Sequence, residues 1–99
     1  MEKIFDEFRT LLDELMEEIK SSIDAHGDWS DYSAKDIFAA VSGEVDELRE
    51  AYMHGLLHGR HGQISELFDV AVTALKGVRV LRLMVADRQM RTLNGPERP

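Results

Sequence analysis

Cysteine is absent, which removes disulfides and thiolate metal sites and makes a reducing cytoplasm the expected compartment. Basic residues are scarce: 12 Lys and Arg stand against 19 Asp and Glu, for a net charge of −7. The imbalance is local, with fifteen acids and five Lys or Arg in residues 1–50, then four and seven in residues 51–99. Sequence-independent nucleic-acid binding needs a basic footprint, so no nucleic-acid partner is expected. No apolar run approaches the roughly 20 residues of a membrane span, so no membrane partner is expected either. Met1–Asp6 has no basic segment leading into an apolar one, so no secretory signal is expected. Strand-type alternation, internal repeats and low-complexity tracts are missing as well.

What remains is a composition that is 43% hydrophobic and 31% charged, suited to a folded chain rather than a disordered one. Its length fits one domain, expected over residues 1–93. The periodicity predicts an all-α fold, a small bundle of three main helices. The first spans about Glu2 to Asp24, with Phe5, Phe8, Leu12, Leu15 and Ile19 in an a/d stripe. Its other face is acidic, and Glu17 and Glu18 read as ordinary solvated charges, as do Asp46 and Glu50. After a break at His26–Tyr32, Ser33 and Asp36 resemble a capping box that opens a second helix, about Ala34 to His54. Its predicted core stripe is Ile37, Phe38, Val41, Val45, Leu48 and Tyr52. A glycine-rich loop then precedes a third helix, about Gln63 to Leu93, with a stripe of Ile64, Leu67, Phe68, Ala71, Leu75, Val78 and Leu81. Gly77 costs about 1 kcal/mol against alanine inside a helix and marks where a fourth helix would split off. Asn94–Pro99 is expected to be a disordered tail. A wide apolar stripe on so short a chain predicts completion of the bundle by association, as a homodimer or homotetramer.

Two acid pairs break the amphipathic pattern: Glu44 with Glu47, and Glu66 with Asp69. Residues three apart on a helix are about 60° apart, so each pair projects as a unit. If the two helices pack antiparallel, the pairs face each other, and four carboxylates in one cleft repel unless cations lie between them. Oxygen ligands without Cys or His suit Mg²⁺, or Mn²⁺. Solvated surface charge is the alternative reading of each pair. A ferritin-like di-iron site is set aside, because no Glu is followed by His three residues later.

The segments Val41–Ala51 and Ile64–Ala71 together resemble the MazG-like all-α NTP pyrophosphohydrolases, whose pattern is Glu-x-x-Glu, a gap, then Glu-x-x-Asp. The resemblance spans residues 33 to about 82. It implies that Glu44, Glu47, Glu66 and Asp69 bind Mg²⁺. It also implies hydrolysis of a nucleoside triphosphate substrate to monophosphate and pyrophosphate. A carboxylate not fully committed to metal could accept the proton of the attacking water, and Glu47 is the candidate for that added role. The same superfamily includes phosphoribosyl-ATP pyrophosphohydrolase. Many members carry a further Glu where this chain has Gly43, and often a Gly where it has Asp46; Gly43 is the feature that feeds the alternative reading, a non-catalytic helical dimerisation or ligand-binding module. Lys76 is a candidate phosphate contact or an ordinary surface lysine. Trp29 is a candidate for stacking on a base or for anchoring its loop. His54, His58 and His61 lack the fourth ligand of a Zn²⁺ site and read as exposed or phosphate-contacting.

Overall fold

The computed structural model describes residues 2–93, and the expected tail at 94–99 lies outside them. Three helices, α1 (Glu2–His26), α2 (Ala34–Met53) and α3 (Gln63–Leu93), make up an all-helical fold without strands among the described residues. Both α1 and α2 pack on α3, and their backbones do not approach one another.

Local chemistry fixes the ends. Gly27 closes α1, donating its N–H to the Ile23 carbonyl at 2.8 Å. Ser33 caps α2 reciprocally: its hydroxyl accepts from the Asp36 N–H at 3.1 Å, and the Asp36 carboxylate accepts from the Ser33 N–H at 3.0 Å. At the far end of α2 the N–H groups of Gly55 and Leu56 donate to the carbonyls of Tyr52 and Ala51, satisfying two otherwise orphaned acceptors. The loop then folds back on itself. Leu56 and Leu57 carbonyls accept from the first N–H groups of α3, Gln63 and Ile64, at 2.9 and 3.2 Å. Gly62 makes that fold possible, since a Cβ there would stand 2.3 Å from the His58 carbonyl oxygen. The result is an antiparallel α2–α3 hairpin.

The helix runs unbroken through Gly77, so no fourth helix splits off there. The physical reason lies across the interface: a Cβ at residue 77 would come within 2.7 Å of Ile37 Cγ2. The missing side chain is where Ile37 seats, and packing offsets the weak helix propensity of glycine. Around this contact lies the core cluster of Trp29, Ile37 and Val80, flanked by Tyr32, Ala40, Val41 and Met84.

The inward faces differ from those expected. On α2, Ile37, Glu44, Leu48 and Ala51 turn inward, whereas Phe38 and Tyr52 are 74% and 70% exposed. On α3 the buried residues are Glu66, Val72, Thr73, Lys76, Gly77 and Val80. Ile64, Leu67, Leu75, Val78 and Leu81, expected in the core, are exposed. Part of that stripe, Ile64 to Ala71, instead borders Phe8 to Leu15 of α1 along an apolar groove of about 340 Å³. No residue of α1 is buried.

Candidate metal centre

Glu44 and Glu47 sit one turn apart on α2, and Glu66 and Asp69 occupy the first two turns of α3. Antiparallel packing brings the pairs together: one carboxylate oxygen from each of the four residues lies within 4.8 Å of all the others. Among the described residues this is the one group of three or more His, Asp or Glu side chains close enough to hold a metal ion. The loop histidines do not form such a group.

Burial within the cluster is graded. Glu66 is 3% exposed, Glu44 and Asp69 are half-buried, and Glu47 is exposed. One oxygen of Glu66 and one of Glu44 are buried without any hydrogen-bond partner. A buried carboxylate oxygen with no donor is costly, and the cost rises when other carboxylates surround it. Burial foremost pushes the Glu44 carboxyl up to about 7, helped by contact with Glu47 and by the charges of Glu47, Asp69 and Glu66. Glu66 is raised by burial, then by Asp69 and Glu47, with His61 opposing. Asp69 is raised by burial, then by Glu18 and Glu47. Proximity of Glu66 to the positive end of α3 does not cancel these effects.

A divalent cation answers this arrangement. Oxygens on opposite sides of a bound Mg²⁺ stand about 4.2 Å apart, given Mg–O distances of 2.0–2.1 Å. The spread of the four oxygens is close to that span, and the two orphaned oxygens are lone-pair donors with nothing else to bind. The residues present therefore fit a hard divalent ion.

His61 lies at the edge, its Nδ1 3.6 Å from Glu66 Oε1 and its ring largely in solvent. His58 lines a cavity of about 260 Å³ beside Asp69. Lys76 is buried rather than on the surface. Its ammonium donates to Ser22 Oγ at 2.9 Å and stands 4.3 Å from the centre of the Trp29 ring. Burial lowers its pKa, and Asp28, not the four acids, is the charge that opposes this. Trp29 lies in the core, stacked on Tyr32 with ring centres 4.7 Å apart. Its backbone is left-handed, at φ 65°. That conformation costs roughly 1–2 kcal/mol. Burying an indole of about 200 Å² contributes on the order of 5 kcal/mol, so the strain is held by packing.

Glu18 is the site residue missed when the sequence is read helix by helix. It lines two cavities together with Asp69. The available signal is its place on α1, three residues after Leu15 and four before Ser22, which are both partly buried. No protein-family model, curated protein or solved structure matches the chain.

Proposed function

We propose that Glu44, Glu47, Glu66 and Asp69 hold Mg²⁺, with Mn²⁺ a substitute, and that the chain is a nucleoside triphosphate pyrophosphohydrolase. In this reading water adds across the α–β anhydride, the α-phosphorus gains an oxygen, and pyrophosphate leaves from a nucleoside monophosphate. The observation that carries the metal is the convergence of four carboxylates with two buried, partnerless oxygens between them. The reaction rests on the sequence resemblance to MazG-like enzymes.

The bound cation would neutralise phosphate charge and polarise the phosphorus under attack, which is most of what phosphoryl chemistry asks of a protein. The chain's own residues divide the remaining work by burial. Glu66, Glu44 and Asp69 are set in the interface, where their rotamers are restricted and their charge is concentrated. Glu47 faces solvent at the edge of the group, the position from which a carboxylate takes a proton from water without giving up a buried ligand. Cytoplasmic nucleotide-pool clearance by a dimer or tetramer completes the proposal, and the open apolar faces of α1 and α3 favour association.

Pyrophosphate release from the canonical ribo- and deoxyribonucleoside triphosphates, with Mg²⁺ or Mn²⁺, tests the activity. Release from at least one is expected, and Glu47→Gln or Asp69→Asn should each cut it by about a hundredfold or more. A folded protein that releases none would overturn the enzyme reading. That outcome would favour a non-catalytic module, to which Gly43 in place of a carboxylate also points. Activity surviving in both variants would remove the site assignment instead.

A further inference from the structure

A further acidic side chain stands beside this centre on α1. Leu15, Ile19 and Ser22 are partly buried along its flank toward α3, and the spacing of Glu18 from Leu15 and Ser22 puts it on that flank. Two cavities open beside Asp69. One, of about 260 Å³, runs past His58, Ile64 and Ser65; the other, of about 310 Å³, runs past Ser22, Glu44 and Thr73. Glu18 and Asp69 are the residues common to both, so this pair stands between the two openings.

Histidines flank these acids: His61 stands by Glu66, His58 lines one cavity and His26 lines the other. Arg9 pairs with Asp6, Arg49 pairs with Asp46, and the Lys76 ammonium is engaged with Ser22 and the Trp29 ring. The same centre contains Glu66, almost fully buried, with one oxygen lacking any partner. A carboxylate added to such a group raises the repulsion in the metal-free protein and the attraction in the loaded one. We infer that Glu18, an exposed carboxylate of α1 beside Asp69 and outside the four-acid group, supports the metal centre and strengthens its hold on a divalent cation. Glu18 is thus a positioning residue that acts through Asp69, and α1 becomes part of the site rather than a cover for the hairpin. This inference rests on the metal reading of the four acids.

The two readings separate in one experiment on the full chain: Mn²⁺ titration followed by the resonance of free Mn²⁺, paired with urea unfolding in chelator. Glu18→Gln should weaken Mn²⁺ binding about tenfold, the low end of what a supporting group around a metal contributes. The same substitution should raise the stability of the metal-free protein, since it removes a repelling charge. Glu18→Lys should weaken binding further, and Glu17→Gln should leave it unchanged. Loss of affinity with gain of metal-free stability is a signature that a merely structural role does not produce. Wild-type binding in Glu18→Gln and Glu18→Lys would overturn the inference while leaving the four-acid site standing. Absence of Mn²⁺ binding by the wild-type chain would overturn both.

Discussion

Two faces of α3 run side by side and invert the usual relation between polarity and burial. The face turned to α2 carries Glu66, Thr73 and Lys76 among its buried residues. The neighbouring face carries Ile64, Leu67, Leu75, Val78 and Leu81, all exposed. Burying ionisable groups while leaving leucines in water costs a small domain stability, because apolar burial contributes about 25 cal/mol per Å². The inversion makes sense if the inner face is built for a cation and the outer face for another copy of the chain. Stability then comes from what binds on each side, not from the single chain alone.

The largest way to break this contrast is to charge the outer face. Leu67→Glu should shift an assembled protein to monomers in sedimentation at micromolar concentration, by weakening association at least about a hundredfold, since each of two copies loses a leucine worth about 1.5–3 kcal/mol of burial. It should leave the number of Mn²⁺ ions bound per chain unchanged. An unchanged sedimentation mass would show that the exposed stripe is not the contact.

A second test addresses the inner face by pH. Glu44 is held at about 7 in the fold against an ordinary value of 4.5. Between those values the native chain keeps a proton that the unfolded chain has released. Stability without metal should therefore fall as pH rises from about 4.5 to 7, by up to about 1.4 kcal/mol per unit for each proton retained, and level off above. The raised Glu66 and Asp69 carboxyls add in the same direction. Saturating Mg²⁺ should reverse the slope, because metal binding favours the ionised carboxylates. Urea unfolding across pH, with and without Mg²⁺, reads both slopes; a flat metal-free profile would mean that the fold does not hold these carboxyls above their ordinary range.

The smallest expected effect sits where the two helices touch most closely. Gly77→Ala gains about 1 kcal/mol of helix propensity but forces a Cβ against Ile37, at a cost of about 1–3 kcal/mol. The net loss should be about 1 kcal/mol by urea unfolding, and the penalty should vanish in an Ile37→Ala background, which removes the Cγ2 methyl that the new Cβ meets. A stabilised Gly77→Ala would show that α2 can move away freely.

The helices and both acid pairs were legible in the sequence because their signals are local. The Ser33–Asp36 cap, the glycine-rich connection and the three-residue spacing of the acids each act within one or two turns. The antiparallel hairpin followed from the short connection, and facing of the pairs followed from the hairpin. What was not legible depends on contacts distant in sequence. Which stripe of α3 faces inward is decided by Ile37 seating on Gly77 and by Trp29 beside Val80. The burial of Lys76 requires Ser22, fifty-four residues away. Glu18 looked like one acid among many until the packing of α1 set it beside Asp69.

The packing around Trp29 also gives the molecule a built-in optical gauge. The chain has a single tryptophan. Its indole is buried against Tyr32, under an ammonium group that is itself tethered to α1 through Ser22. Opening of α1 away from α3 releases the ammonium from Ser22, and loss of the core shared with Ile37 and Val80 lets water reach the indole. Intrinsic fluorescence of the unlabelled protein therefore reports the packing of the turn after α1 onto the α2–α3 hairpin that carries the carboxylates.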